Sequence, residues 1–408
     1  MSSPPVERVG PFSWMKDRDV TRVMAALGGD AARFVGGAVR DALLGRTVKE
    51  IDIATSLTPE TVMEKLGKAG IETVPTGLSH GTVTVVAPGR AIEITTLRRD
   101  VETDGRHAKV AMIDDWDEDA KRRDLTINAL YLDVTGNLYD PIGGRADLRV
   151  GRVRFIGQAE ARIGEDALRI LRFYRFFAHY GKGDADREAR AACRKLATLL
   201  NGLSAERIQA ELLKLLTARN PVPALKIMGE DGVLAAILPE AARLDRLSRL
   251  LPIEPEPDAL RRLAALVRAD RAGVAALAKR LRLANDQRAR LEALASPAWP
   301  IDLDGGDKRQ RRALYHLGRA IYRDLVMLSG DAARAPRLLS MADTLAVPIF
   351  PLKGSDVVAA GIPAGPAVGE WLTRIESWWE EEDYGPDRAA CIAELNKRLA
   401  AASPLARE

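Results

Sequence analysis

Cysteine is almost absent from this chain. Only Cys193 and Cys391 occur among 408 residues, far apart and each in a helical-looking stretch. Neither a disulfide framework nor a cysteine metal spacing is available. Histidine is nearly as scarce. His80, His107, His179 and His316 form no His-Asp dipeptide and no His-x-x-x-His, which argues against a histidine-built metal centre. No apolar run approaches the roughly 18 residues a membrane span needs, so no membrane partner is expected. The first stretch, Met1 to Met15, lacks the basic start and apolar run of a secretory signal. A reducing, cytoplasmic setting is the expectation. Aromatic residues make up only 5% of the chain. A strong charge of one sign is missing too: 61 basic residues against 57 acidic ones leave +4, a mild hint of a polyanionic partner.

What is present is a soluble globular composition, 47% hydrophobic and 29% charged. Such a chain is too long for one core and implies about two to four domains. Ala, Leu and Arg abound, which favours helices. Residues 31–155 are the only β-rich part. Ala32–Val35, Ile51–Thr55, Thr82–Val86, Ala91–Leu97, Leu125–Leu132 and Val153–Ile156 read as short strands. Helices interleave with them: one near Asp17–Leu27, and one capped by Thr58 with Pro59 in its first turn. From Ala159 the pattern is helical, broken by the Pro-rich stretches Leu251–Asp258 and Ser296–Asp307 and a Gly/Pro-rich passage at Val347–Gly369. The expected fold is an α/β head over 1–155 followed by an all-α neck over 156–225, body over 226–300 and tail over 301–408. Trp371, Trp378 and Trp379 are expected to pack the tail.

The chemistry gathers in a few segments. Phe34-Val35-Gly36-Gly37-Ala38-Val39-Arg40-Asp41 reads as a strand, a glycine turn and a helix start. Gly36 and Gly37 allow backbone N–H groups to approach a phosphate, and Arg40 adds a fork of donors. Glu50 and Asp52 are two apart, so on a strand they share a face and suit a magnesium ion. Glu93, within Ala91–Leu97, offers a third acid, as metal ligand or orienter. The segment Arg98–His107, with Arg98, Arg99, Asp104, Gly105 and Arg106, is polar and lacks a clean period through Glu118, which suggests a lid. Arg123 suits a phosphate, while Asp124 and Asn128 suit ribose hydroxyls. The turn Asp140–Gly144 suits a hinge. In Gly164–Phe176, read as one helix, Asp166 and Arg169 are surface neighbours, with Arg172 and Arg175 following in the same steps. A carboxylate beside a guanidinium matches the amino donor and ring-nitrogen acceptor of cytosine and adenine, and mismatches uracil and guanine. Lys195, Lys214, Arg219, Arg261, Arg262, Lys279, Arg280 and Arg282 are candidates for tracking RNA phosphates.

Together these motifs resemble the class II CCA tRNA nucleotidyltransferase and bacterial poly(A) polymerase family, within the polymerase-β-like superfamily. The resemblance covers about residues 30–215, ending in Ser204-Ala205-Glu206-Arg207-Ile208-Gln209-Ala210-Glu211-Leu212. It implies a Mg2+-dependent enzyme that adds CCA to the tRNA 3′ end from CTP and ATP; the alternative is A-tail synthesis on RNA. It implies Glu50 and Asp52 as metal acids, and Gly36, Gly37 and Arg40 on the triphosphate. Arg123 and Asp124 would contact phosphate and sugar. Asp166 and Arg169 would template the base, with Arg172 and Arg175 in support. The Arg98–His107 segment resembles the loop that switches such enzymes from C to A. One departure is Glu50, where the family usually has Asp. The acceptor arm of tRNA is the implied macromolecular partner, with no protein partner evident.

Overall fold

Alternating apolar stretches, broken by glycine turns and capped helix starts, build a sheet in the first third of the chain. The computed structural model describes residues 3–78, 81–87, 90–103 and 108–402. The order begins β1 (Glu7–Arg8), α1 (Arg18–Leu27), β2 (Ala32–Val35), α2 (Gly37–Leu43), β3 (Ile51–Thr55) and α3 (Pro59–Lys68). It continues with β4 (Thr73–Gly77), β5 (Thr82–Ala87), β6 (Arg90–Thr96), β7 (Arg98–Thr103), β8 (Ala108–Met112), α4 (Trp116–Lys121), β9 (Tyr131–Leu132) and β10 (Asn137–Tyr139). Eight strands form one sheet in the order β1-β10-β9-β2-β3-β6-β5-β4, while β7 and β8 form a separate ribbon. Among the described strand pairs of this sheet, β3 and β6 run parallel and the others antiparallel. Ile51 and Ile53 of β3 are fully buried, and Asp52 between them faces the other way, half-buried. The Thr58 hydroxyl caps α3 by accepting from the Thr61 amide at 3.3 Å. Val35, Ala54, Leu97, Trp116 and Tyr131 pack into one core beneath the site.

After β10 come the helices α5 (Gly144–Val150), α6 (Ala159–Glu165), α7 (Leu168–Tyr180), α8 (Arg187–Lys195) and α9 (Ala205–Leu216), and further helices follow to Ala402. The architecture is therefore an α/β head followed by an all-α remainder. The chain forms two compact units. The first comprises Met1–Leu244, Pro257–Arg268 and Lys279–Leu283. Within it, buried Asp231 accepts from Tyr174 (2.8 Å), Arg190 (2.8 Å) and Arg194 (2.7 Å), tying α7 and α8 to the segment after the helix Val222–Glu230. The second unit holds two cores. Leu314, Tyr322 and Leu338 centre one; Ile375, Trp379 and Leu395 centre the other, with Trp371 and Trp378 packed against it. No described helix is long and apolar enough to cross a membrane.

Several expectations are corrected. Leu125–Leu132 is not one strand: Thr126–Asn128 form a 3-10 turn and Tyr131–Leu132 form the strand. The residues are apolar because they are buried on all sides, not because they are extended. Val153–Ile156 makes only an isolated bridge, Phe155 to Leu125. Within the Arg98–Glu118 segment the described residues are not loop throughout: 98–103 and 108–112 pair as the ribbon β7–β8, in register from Arg98↔Met112, and α4 starts at Trp116, while 104–107 lie outside the described residues. The Asp140–Gly144 turn is pinned, with the Asp140 carboxylate accepting from the Gly144 (2.8 Å) and Arg145 (2.9 Å) amides. Arg261 and Arg262 are buried, 7% and 3% exposed, and Arg262 donates to the Leu216 carbonyl at 2.6 Å. These two do not offer a surface to RNA.

Candidate active site

The site starts where β2 runs out. Val35 lies opposite Asp52 in the β2–β3 ladder, and the next residue, Gly36, turns the chain into α2 at φ 64, ψ −120. That backbone conformation is costly for any residue with a Cβ. A Cβ on Gly36 would lie 3.8 Å from Asp52 Oδ2 and 3.9 Å from Arg123 Nη1. One on Gly37 would lie 3.6 Å from Arg40 Nη2 and 3.8 Å from the same Asp52 oxygen. One carboxylate and two guanidiniums thus look onto a turn with no side chains of its own.

Asp52 stands in register with Glu93 across the parallel β3–β6 ladder, so both side chains rise from one face. Glu50 sits in the bend just before β3 and is exposed. Burial, then the charges of Glu93 and Glu50, push the Asp52 carboxyl up to about 6, with Arg123 and Arg40 pulling the other way. Like charges crowded around hard oxygen donors fit a hard divalent cation, whose charge would relieve the repulsion. No three acidic, histidine or cysteine side chains among the described residues complete a cation site by themselves. The protein therefore offers part of a coordination shell, a pattern that suits a cation shared with phosphate oxygens and water.

The arginines are held by buried acids. Arg123 donates to Asp119 Oδ2 from Nη2 (3.0 Å) and Nε (3.1 Å), and Arg122 donates to Asp119 Oδ1 (2.6 Å). The Tyr131 hydroxyl donates to Asp119 as well, at 2.7 Å. Burial alone would raise the Asp119 carboxyl; Arg123 and Arg122 outweigh it and hold it at about 2. The Arg98 amide also reaches Asp119, at 3.3 Å, so the base of the ribbon joins the same acid. Arg98 is half-buried and Arg99 exposed, while Asp104, Gly105 and Arg106 lie outside the described residues.

A second run of contacts crosses the floor of the site. Arg40 donates to Asn128 Oδ1 at 2.6 Å, and Asn128 Nδ2 donates to Asp124 Oδ1 at 3.0 Å. Arg172 donates to Asp124 Oδ2 at 2.6 Å. Glu211 of α9 lies 2.8 Å from Arg175 and 4.0 Å from Arg172. Asp124 is buried, yet Arg172 outweighs the burial and lowers its pKa. Asp124 and Asn128, expected at the sugar, are thus already engaged with arginines.

At the start of α7, Asp166 and Arg169, expected as neighbours on one helix face, each take a different partner. The helix is broken at Asp166, φ −156, ψ 108. Its carboxylate folds back to accept from the Leu168 amide (3.0 Å) and from Arg207 (2.7 Å). Arg169 instead pairs with Glu165 and donates to the Arg162 carbonyl at 3.0 Å. The spacing of three presumed an unbroken helix; the Asp166 carboxylate instead turns back onto the amide two residues on. Their backbones stay within one turn, the Arg169 amide donating to the Asp166 carbonyl at 3.0 Å. Each is locked by its own partner.

The structure thus brings together Gly36, Gly37, Arg40, Asp52, Glu93, Arg123, Asp124, Asn128, Arg172 and Arg175, with Asp166 and Arg169 at the start of α7. Sequence reasoning missed Asp119, Tyr131, Glu165, Tyr180, Arg207 and Glu211. Glu211 and Arg207 carried one signal, a charge pair four apart in an apolar helix. Tyr180 carried none.

Residues 32–154 match the family model described as the poly(A) polymerase head domain, and residues 185–244 match one described as the probable RNA and SrmB-binding site of polymerase A. The CCA tRNA nucleotidyltransferase 1, mitochondrial, of Mus musculus is 34% identical over 386 residues, 90% of this chain and 86% of its own length. The CCA-adding enzyme of Geobacillus stearothermophilus is 42% identical over 221 residues, 54% of this chain and 53% of its own. The crystal structure of the Bacillus stearothermophilus CCA-adding enzyme in complex with CTP superposes with a TM-score of 0.77 at 30% identity, covering 93% of this chain and 96% of that one.

Proposed function

The chain belongs to the CCA tRNA nucleotidyltransferase family, and on that premise we propose that it adds C, C and A to the 3′ end of tRNA. CTP and ATP are the donors, no nucleic-acid template is used, and each step releases pyrophosphate. The near full-length similarity to the mouse enzyme carries this reading.

The side chains divide the work as follows. The Gly36–Gly37 turn, whose Gly36 amide is already given to the Leu130 carbonyl at 3.3 Å, binds the triphosphate through the Gly37 amide together with Arg40 and Arg123, and sets its α-phosphorus before the attacking 3′-hydroxyl. Glu50 and Asp52 hold the divalent cation, Mg2+, with Glu93 orienting Asp52. When bound, that cation supplies Lewis acidity to the α-phosphate and lowers the pKa of the 3′-hydroxyl. Glu50 is one methylene longer than the usual aspartate and keeps the carboxylate. Asp166 accepts from the base amino group and Arg169 donates to the ring nitrogen, which favours C and A. Asp124 and Asn128 hold Arg172 and Arg40 in line and turn their remaining hydrogen-bonding capacity toward the sugar. Arg98 and Arg99 on β7, together with Asp104, Gly105 and Arg106, adapt the site from C to A.

We assign base selection to the neck over 156–225, and tRNA binding to the body over 226–300 and the tail over 301–408. Cys193 and Cys391 are both free and buried, in keeping with a reducing compartment, here the cytoplasm. The test is one assay: tRNA lacking its terminal CCA, given CTP alone, ATP alone or both, with the products sequenced. Addition that stops at CCA supports the reading, and a long A tail replaces it with poly(A) synthesis.

A further inference from the structure

The last residue of α7 reaches into the triphosphate end of the site. The Tyr180 hydroxyl accepts from Arg40 Nη2 at 2.8 Å and donates to Asp41 Oδ1 at 2.9 Å. Its ring also lies against the Arg40 guanidinium, whose carbon is 4.2 Å from the ring centroid. Phe176, one turn earlier, stacks on Tyr180 at 5.8 Å and lies 5.0 Å from the same guanidinium. Arg46 anchors this end of the helix, donating to the His179 carbonyl at 2.9 Å.

Asp41 is the neighbour that Arg40 would otherwise choose. Arg40 Nε is 3.3 Å and Nη2 3.5 Å from its two oxygens. Those distances are too long for the bidentate fork that a free arginine and carboxylate form at about 2.7–2.9 Å. The phenol stands between them. It takes Nη2 from the arginine side and Oδ1 from the acid side. Nη1 is drawn the opposite way, onto Asn128. The guanidinium is thereby kept beside Gly37, where its Nη2 is 3.6 Å from the position a Cβ would take.

We propose that Tyr180 is a positioning residue for the nucleotide triphosphate, a spacer that keeps Arg40 from closing onto Asp41 and holds it at the glycine turn. The inference rests on the reading of Arg40 as a phosphate-binding residue. An arginine neutralised by a bidentate carboxylate offers a phosphate less charge and fewer N–H groups. Tyr180 contacts no reacting atom, so its effect falls on nucleotide binding rather than on the chemical step. It acts on the triphosphate, which CTP and ATP share, and therefore on both alike.

The test is steady-state kinetics on the full chain with saturating tRNA, using Tyr180→Phe, Tyr180→Phe with Asp41→Asn, and Arg40→Ala. The phenylalanine keeps the ring and removes only the hydroxyl. Loss of a hydrogen bond to a charged group predicts a rise in KM of about tenfold for CTP and ATP alike. We expect kcat within about twofold, and the KM for tRNA and the preference for C and A unchanged. Adding Asp41→Asn removes the competing charge and brings the nucleotide KM back to within about threefold of the parent, which a general loosening of the helix would not do. A raised KM in Arg40→Ala with an unchanged KM in Tyr180→Phe overturns the spacer role alone. Failure of Asp41→Asn to restore binding also overturns it. An unchanged nucleotide KM in Arg40→Ala removes the phosphate reading of Arg40, and this inference with it.

Discussion

Asp119→Asn tests the electrostatics of the site at a residue that touches neither phosphate nor cation. The Asp119 side chain is 1% exposed and binds Arg122 and Arg123, which are 16% and 18% exposed. Its carboxyl is held at about 2, against an ordinary 3.8. At about 1.4 kcal/mol per unit, the difference corresponds to roughly 2.5 kcal/mol in favour of the charged form at pH 7. The folded value is the lower one, so this stability is present above the ordinary carboxyl range. It is lost as pH falls toward 2, with about half gone by pH 3. The asparagine keeps the shape and loses the charge, leaving two guanidiniums without their acid. Breaking such a buried pair costs about 3–5 kcal/mol, which sets the upper end of the expected loss. Urea unfolding of the first compact unit's transition should show a deficit of about 2.5–4 kcal/mol at pH 7, shrinking by about 1 kcal/mol at pH 3. Arg123 also loses its anchor, so the KM for both nucleotides should rise. A deficit below about 1 kcal/mol at pH 7, or one that does not shrink in acid, would refute the reasoning.

Other expectations follow from the same geometry. Asp52→Ala should abolish nucleotide incorporation with the circular dichroism spectrum unchanged; substantial remaining activity would remove the metal assignment. Asp166→Ala should lose the preference for C and A over U and G, and Arg207→Ala should weaken it less, as measured by competition among the four nucleotides. An unchanged preference in Asp166→Ala would sink the template role. Gly36→Ala forces a Cβ onto a backbone at φ 64, at a cost of about 1–3 kcal/mol, visible as a lowered melting midpoint and a raised nucleotide KM. A variant as stable and active as the parent would show that the turn tolerates side chains.

The glycine turn and the acids on β3 and β6 were legible in the sequence because their chemistry is local. Gly36 and Gly37 sit at the end of an apolar strand, and Glu93 alternates with Ile92 and Ile94. The cap of α3 was legible for the same reason, since Thr58 and Pro59 act within one turn. The ribbon of β7 and β8 was not. A two-stranded ribbon outside the main sheet need not bury one face, so its charged residues carry no alternation and read as a loop. Leu125–Leu132 failed in the opposite sense: burial on every side erases the period that distinguishes a strand from a turn. Arg261 and Arg262 misled by type, because burial of an arginine, as with Arg262 on the Leu216 and Ala218 carbonyls, leaves no mark on its neighbours in the sequence. Asp166 was identified, but its partner was not. Arg207 is distant in sequence, and only the packing of α7 against α9 brings it near.

The contacts from Arg40 through Asn128, Asp124 and Arg172 to Glu211 and Arg175 have a consequence for how this site can change. Glu211 faces two guanidiniums, and Asn128 joins a third to Asp124 by accepting at one end and donating at the other. No link can be exchanged without altering what its neighbours see. Losses from paired substitutions along the run should therefore fall short of the sum of the single ones. A lineage could drift through this row only by compensated pairs, whereas the surface around it is open to single steps.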